Sequence, residues 1–284
     1  MVLAWPRSSS SLRWARISAA ALLVAVPLGA TEVPSDYLES LGTIRHDVIV
    51  LGEVHDNPAH HTSQAVAVAA IAPAAIVFEM LTLEQAALVT PDLIADADAM
   101  AAMLDWANSG WPDFAMYHPI FAAAPDAAIY GAEVPRPEAS RAFAEGAAAV
   151  FGEGAARFGL DLPLLAIEQS MRETAQLAAH CDALPTDILP GFVEAQRLRD
   201  ARLAEAALTA LADTGGPVVV ITGNGHARID WGVPALLAMA APDVTVLSLG
   251  QLEAAPATDP PYHLWIVTEA VDRPDPCAAF RTGG

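Results

Sequence analysis

The chain has 284 residues and is strongly acidic, with 14 basic residues against 34 acidic ones and a net charge of −20. All 14 basic residues are arginine, so the sequence excludes Walker-type phosphate loops and Schiff-base catalysis, which both need lysine. The acidic balance also argues against nucleic acid as a partner, because binding to phosphates requires a basic surface.

The first thirty residues are typical of a secretory signal peptide. Three arginines precede an apolar run that starts at Ile17, is too short for a comfortable membrane span and ends in small residues. We expect cleavage after Ala30, which leaves residues 31–284 as one periplasmic or secreted domain without an integral membrane span. Lipid attachment is not expected, because Thr31 stands where a cysteine would be needed. An uncleaved anchor is the alternative.

The first clear strand signal is the apolar run of residues 48–51, and a polar turn follows it. Glu53 and His55 come directly after the run, and Asn57 and Pro58 then predict the start of a helix. In open parallel sheets, ligands bind beyond the carboxyl ends of the strands, which is where this turn would lie. A solvated loop is the alternative interpretation.

Two further strand signals end in the same way. The run Ala75–Phe78 is followed by Glu79, and the run of residues 217–222 is followed by a Gly-Asn-Gly turn and His226. A capping role for Glu79 at the next helix is the alternative. Glu53, His55, Glu79 and His226 would then collect at one edge of a sheet.

The order of strands and helices predicts an α/β fold with a mostly parallel sheet flanked by helices. Additional strands are predicted near residues 127–131, 242–249 and 262–268, whereas residues 137–212 show only helical patterns. We therefore expect a helical insertion beside the sheet at about residues 137–212.

The four strand-end residues fit two kinds of chemistry. Two carboxylates and two imidazoles could hold a divalent metal such as Zn, Mn or Fe. They could equally serve as acid and base in a hydrolysis reaction. Spacing does not decide between these, and neither the H-E-x-x-H nor the G-x-S-x-G motif occurs.

These motifs, in this order, resemble the ChaN-like haem-binding uptake proteins, whose superfamily includes Tiki metalloproteases, TraB and erythromycin esterases. The resemblance rests on GEVHD, Glu79 and GNGHAR and extends from about Val48 to about Thr268. It implies a haem-binding protein for haem or iron uptake, with haem or another small ligand as the partner. A hydrolase of the esterase or Tiki kind, using the strand-end residues with or without a metal, is the alternative.

The resemblance also implies haem contacts in the aromatic segment of residues 109–119. A flat macrocycle needs an apolar slot and a ligating atom, and Tyr117 and His118 offer an oxygen and a nitrogen side by side. Tyr117 is the favoured iron ligand, and packing of these aromatic residues in the core is the alternative. Arg136 and Arg228 are candidate partners for the haem propionates, with a surface ion pair as the alternative for Arg136.

Three further expectations concern assembly. Cys181 and Cys277 are expected to form a disulfide in an oxidising compartment, with two free thiols as the alternative. A homodimer that shares a haem face would keep that face from water. Glu133 replaces an asparagine of the family pattern. A third interpretation is therefore a degenerate family member whose residues at these positions only pack and have no binding or catalytic role.

Overall fold

The computed structural model describes residue 1, residues 30–275 and residues 277–278. The predicted signal peptide therefore lies almost wholly outside the described residues, and its cleavage stays a prediction. Within the described ranges, no helix combines the length and the apolar character that crossing a membrane would require.

The described residues contain one sheet of seven strands, and every strand pair in it is parallel. The strands are β1 Thr31–Glu32, β2 Val48–Glu53, β3 Ala75–Phe78, β4 Ala128–Gly131, β5 Val218–Gly223, β6 Val246–Leu252 and β7 Leu264–Val267. Their order across the sheet is β1-β7-β6-β2-β5-β3-β4. The predicted α/β fold is thus confirmed, and β1 is a short edge strand that the sequence patterns did not indicate.

Ten α-helices of the described residues connect and cover the strands. They are α1 Pro58–Ile71, α2 Leu83–Ala86, α3 Pro91–Ile94, α4 Ala97–Met103, α5 Phe114–Ala123, α6 Arg136–Glu145, α7 Ala147–Phe151, α8 Ala166–Ala179, α9 Leu189–Thr214 and α10 Val233–Ala240. A 3₁₀ helix, Ser35–Thr43, occupies most of the segment before β2.

Strand β2 is in the middle of the sheet because its residues are apolar on both faces. Val48 and Val50 pack into a core shared with α9, whereas Ile49 and Leu51 pack into a second core on the opposite face, shared with α1 and α5. All six residues of β2 are buried, as is usual for a parallel strand covered on both sides. This packing fixes the carboxyl end of β2, and with it Glu53, at the centre of one sheet edge.

The turn after β2 ends as the sequence predicts. The Asn57 side-chain oxygen accepts a hydrogen bond from the backbone N–H of Ala59 at 2.9 Å, and Pro58 is the first residue of α1. The tight turn between β2 and α1 holds His55 near the end of the strand, so that its position is set by rigid elements on both sides.

The expected disulfide between Cys181 and Cys277 is confirmed. It joins the end of α8 to the C-terminal segment. On its way there this segment passes the β2 turn, where Arg273 pairs with Asp56 at 2.9 Å and with Glu253 at 2.7 Å. The segment is therefore attached both beside the β2 turn and beside α8.

Candidate functional site

Three adjacent strands deliver the predicted site residues to one edge of the sheet. Strand β5 lies between β2 and β3, and its register places Glu53 opposite Gly223 and Phe78 opposite Ile221. The residues that end or follow these strands are therefore neighbours in space. The structure brings together all four predicted strand-end residues: Glu53, His55, Glu79 and His226.

Glu53 holds the imidazole of His55 in a fixed orientation. Its Oε1 atom accepts hydrogen bonds from Tyr117 Oη at 2.9 Å and from His55 Nδ1 at 2.7 Å. Because an ionised carboxylate only accepts, the proton of His55 is on Nδ1 and the lone pair of Nε2 is free when the ring is neutral. The side chain of His55 is 34% exposed, so this nitrogen is at an accessible position.

Opposing effects act on the pKa of His55. Burial lowers it, but the hydrogen bond to Glu53 and the negative charges of Glu79 and Glu53 outweigh burial and raise it above its usual value. Gly223 leaves room for this ring, since a Cβ at that position would lie 2.8 Å from His55 Nε2.

His61 contacts His55, Tyr117 and Glu53 and helps to hold them in place. Its Nε2 donates a hydrogen bond to the carbonyl oxygen of His55 at 2.8 Å, and its ring packs edge-on against Tyr117 at 4.3 Å. Its Nδ1 lies 3.5 Å from Glu53 Oε2, and both atoms are buried. The sequence places His61 in the same motif but does not indicate its role, which is to position His55 and Glu53.

Glu79 and His226 form a second, more enclosed pair. Glu79 Oε2 accepts hydrogen bonds from the Thr222 hydroxyl at 2.6 Å and from the backbone N–H of Gly223 at 2.8 Å. His226 Nε2 lies 3.4 Å from Glu79 Oε1, and its Nδ1 lies 2.6 Å from an oxygen of Asp200 on α9. His226 is therefore engaged at both ring nitrogens.

Burial and charge together shift the pKa of each member of this buried trio, and burial raises the pKa of Asp200 although the charge of His226 opposes it. Burial lowers the pKa of His226, but the flanking carboxylates of Glu79 and Asp200 outweigh it and raise the pKa to about 10. Burial alone would raise the pKa of Glu79, but the charge and hydrogen bond of His226 hold it well below the usual range. At neutral pH the trio thus contains an imidazolium between two carboxyl groups.

A cleft of about 790 Å³ opens at this edge of the sheet. Its size and its mixture of apolar walls with a few polar groups are typical of sites for small ligands. Its lining comes from the strand ends, from Trp111 and from helices α6, α8 and α9: His55, Glu79, Trp111, Arg136, Ala139, Ser140, Phe143, Gln176, Ala179, His180, Phe192, Ala195, Gln196, Arg199 and His226.

His180 brings a second imidazole with a free nitrogen to the cleft. Its Nδ1 donates to the carbonyl oxygen of Gln176 at 2.7 Å, which leaves the Nε2 lone pair unused, and its ring lies 4.9 Å from that of Phe192. In the sequence, the neighbouring Cys181 suggests a metal pair with His180, but adjacent residues on a helix diverge, so a surface or core position is favoured for His180 over a site role.

The three arginines near the site differ in what they contact. Arg136 lines the cleft, is exposed and makes no ion pair with the described residues. Arg199 also lines the cleft and donates to Gln196 at 3.0 Å. Arg228 is not among the lining residues, because its guanidinium pairs with Asp230 at 2.6 Å and stacks on a neighbouring tryptophan ring. The alternative of a surface ion pair for Arg136 is thus not seen in the described part of the chain.

Tyr117 and His118 both lie outside the cleft lining. Tyr117 is completely buried, and burial together with the charge of Glu53 holds the pKa of its hydroxyl well above the usual value. His118 donates from Nε2 to the carbonyl oxygen of Ile94 at 2.8 Å. A role of Tyr117 as iron ligand stays a prediction, and it would require the ring to leave this position. Trp111 is the aromatic residue of this segment that reaches the cleft.

A divalent metal at the strand ends is unsupported. Among residues 30–275 and 277–278, no group of three or more His, Cys, Asp or Glu side chains is arranged to hold a metal ion. Hydrogen bonds from Tyr117 and His55 instead go to Oε1 of Glu53, and those from Thr222 and Gly223 go to Oε2 of Glu79.

A known structure shares this architecture. The structure is similar to that of a Campylobacter jejuni ChaN described as binding haem cofacially, with a TM-score of 0.62 and 18% sequence identity over 81% of this chain and 89% of that one. The type III effector HopBA1 matches with a TM-score of 0.45 and 13% identity, over 84% and 94% of the two chains. No curated protein matches the sequence.

A match between the sequence and a family model identifies the family. Residues 43–237 match the model of the family described as haem-binding uptake, Tiki superfamily, ChaN. This range includes all the strand-end residues and all the residues that line the cleft. The chain therefore belongs to the ChaN family of haem-binding uptake proteins within the Tiki superfamily.

Proposed function

We propose that this protein binds haem in the cleft at the carboxyl edge of the sheet and serves haem or iron uptake in the periplasm. The observation that carries the proposal is the combination, in one cleft, of aromatic walls, imidazole nitrogens with free lone pairs and an unpaired arginine. Haem needs these three features, for its macrocycle, its iron and its propionates respectively.

We propose His55 as the iron ligand. A ligating histidine usually donates its other ring N–H to a carboxylate or carbonyl oxygen, and the contact of His55 with Glu53 at 2.7 Å is of this kind. His180, with a carbonyl partner at Nδ1, is the candidate for a second ligand from the other wall. Both imidazoles reach the cleft, whereas the Tyr117 hydroxyl is directed at Glu53.

Arg136 is the proposed partner of a haem propionate. Its guanidinium is free of carboxylates of the described chain, and its planar donors suit a carboxylate group. Arg199, which lines the same cleft with only an amide partner, is the second candidate. The paired guanidinium of Arg228 makes it a weaker one.

The Campylobacter jejuni protein is described as binding haem cofacially. We propose haem as the ligand here as well, with a second subunit covering the open side of the cleft, where Phe143 is 38% exposed. Sedimentation of the protein with and without haem tests this assembly, because a mass that stays monomeric at saturating haem would contradict it.

An absorbance titration with ferric haem tests the proposal. We expect a saturable Soret change in the wild type that is lost or shifted in His55→Ala. It should be kept in His118→Ala, which removes an imidazole outside the cleft. Loss of the band in Tyr117→Phe alone would transfer the ligand role to Tyr117, and the absence of any saturable change in the wild type would refute haem binding.

A pair of arginine variants tests the propionate contact. Arg136→Ala removes the unpaired guanidinium in the cleft, and we expect it to weaken haem binding roughly two- to fivefold, as for an exposed or half-exposed charge pair. Arg228→Ala is the matched control, because its guanidinium is already paired with Asp230. Equal weakening by both variants would show that only the overall charge matters.

The proposed location has a separate test. Export with removal of the leader predicts that the mature protein, recovered from the periplasm of a host cell, begins at Thr31. Intact mass measurement of that protein decides the point, and a mass that includes the first thirty residues would contradict cleavage.

A further inference from the structure

A second cavity of about 300 Å³ lies next to the cleft and shares none of its lining residues. Most of its walls are apolar and come from the segment after α7 and from α10. They include Phe158, Leu160, Leu162, Leu165, Leu236 and Met239. We call this cavity the second pocket. Its volume is at the lower end of those that bind small molecules.

The rim of the second pocket is unusually apolar for an exposed surface. The exposed fractions of Leu162, Leu165 and Met239 are 61%, 73% and 59%. Single exposed apolar side chains are common, but three that surround one cavity indicate a surface that an apolar ligand would cover.

Asp200 is one of five charged residues that line the second pocket, with Glu168, Arg172, Arg197 and Asp230. Asp200 is only 2% exposed, and one of its oxygens accepts a hydrogen bond from His226 Nδ1 at 2.6 Å. The other oxygen accepts no hydrogen bond from the described residues, although Asp200 lines the pocket. A carboxylate oxygen that lines a pocket without a protein donor favours a ligand that supplies one.

The arginines at or beside the second pocket are already neutralised. Each makes an ion pair of 2.6–2.8 Å with a carboxylate, and the pairs are Arg172 with Glu168, Arg197 with Glu194, and Arg228 with Asp230. Arg197 also donates to the backbone carbonyl oxygens of residues 159, 160 and 162. These guanidinium groups therefore do not leave a net positive charge for a ligand carboxylate.

Asp200, by contrast, shares its only imidazole partner. His226 also faces Glu79 at 3.4 Å, so one cationic ring lies between two carboxyl groups. The trio therefore has one cationic ring for two carboxyl groups, and of these Asp200 is the one that lines the second pocket. A cation at this position would complete the charge balance in an environment where screening by water is weak.

We propose that the second pocket binds a small apolar amine, with its ammonium group on the free oxygen of Asp200 and its hydrocarbon body against the walls formed by Leu160, Leu236 and Met239. A carboxylate of the same size would bring a like charge towards Asp200. A neutral alcohol would form a hydrogen bond there without balancing the charge. The proposal is independent of haem binding.

Calorimetric titration of the haem-free full chain with hexylammonium tests this site, with 1-hexanol and hexanoate as probes of equal size. We expect saturable binding of hexylammonium with a dissociation constant on the order of 1 mM or below. The other two probes should bind roughly tenfold more weakly or worse, because they lack the charge-assisted hydrogen bond. Binding of hexanoate or hexanol as tightly as hexylammonium would overturn the proposal, as would no saturable binding of hexylammonium.

Two phenylalanine variants of α10 locate the binding site. Ala235 lines the second pocket, so Ala235→Phe should fill it and abolish binding of hexylammonium. Ala238 is on the same helix, is exposed and does not line the pocket, so Ala238→Phe is the matched control and should bind normally. Equal affinities of the two variants for hexylammonium would place the binding elsewhere and refute the assignment.

An Asp200→Asn variant tests the role of charge. Asparagine keeps the size of the side chain but removes the negative charge, so hexylammonium should lose its advantage over 1-hexanol. Circular dichroism and thermal unfolding establish that the variant is folded before the titration. An unchanged preference for the ammonium in folded protein would show that Asp200 is not the partner.

Discussion

Two pairs of glutamate and histidine lie one strand apart at the same sheet edge, yet they differ in what their imidazoles can reach. His55 contacts Glu53 through one nitrogen and presents the other at the cleft, with 34% of its side chain exposed. His226 lies between Glu79 and Asp200, engages both nitrogens and is only 6% exposed at its side chain.

The difference arises from what lies next to each imidazole ring. Asp200 on α9 supplies a second carboxylate to His226, whereas the open cleft lies on the free side of His55. The same two residue types therefore present an unpaired nitrogen to the cleft in one place and form a buried ionic cluster in the other. Three experiments test this contrast.

The largest effect is expected from His226→Ala. Removal of this ring leaves two buried carboxylates without their cation, so we expect a loss of roughly 3–5 kcal/mol in the free energy of unfolding. His55→Ala should cost less than about 1.5 kcal/mol, because its ring is partly exposed and Glu53 keeps the hydroxyl of Tyr117. Urea denaturation of both variants measures the contrast, and equal losses would contradict it.

A pH series should reveal the same ionic support without mutation. The pKa of His226 is raised to about 10 in the folded protein from 6.5, so its protonation stabilises the fold fully below about pH 6.5. This contribution is lost as the pH rises through about 10. We expect the free energy of unfolding to fall between pH 6.5 and 10 in the wild type. The fall should be smaller in His226→Gln, and equal slopes would assign it to other groups.

The smallest effect on stability is expected from Gly223→Ala. The same variant should also alter the way in which haem is bound. The added Cβ would lie 2.8 Å from His55 Nε2 and 3.1 Å from His55 Cε1, so the ring must shift. We expect about 1 kcal/mol or a little more of lost stability, together with an altered Soret band in the haem titration. The spectrum of haem-loaded Gly225→Ala serves as the control, because the nearest side-chain atom to that Cβ is 4.0 Å away.

The sheet and its polar edge could be predicted because each rests on a local pattern. The apolar runs before Glu53, Glu79 and the Gly-Asn-Gly turn are short and continuous, and parallel strands present such residues at one edge. The capping signal of Asn57 and Pro58 likewise gave the start of α1 correctly.

The Q-x-x-x-D pattern of Gln196 and Asp200 resembles a family motif, but the contacts of the site residues could not be predicted, because they depend on how helices pack over that edge. Asp200 reaches His226 only because α9 crosses the ends of β3 and β5, and His180 reaches the cleft only at the end of α8. Tyr117 was expected to face a ligand, but α5 packs against α1 and directs its hydroxyl under Glu53. Side-chain direction of this kind is set by contacts between residues far apart in the sequence.

The position of β2 at the centre of the sheet has a consequence for how the chain folds. Strand β2 precedes every other long strand in the sequence, but more than half of the chain separates it from its partners β5 and β6. Pairing over such distances makes folding slow, and it leaves both edges of an apolar strand open until synthesis is nearly complete. A chain cut before Val218 would thus expose an aggregation-prone strand, and the cleft that depends on β2 is among the last features to form.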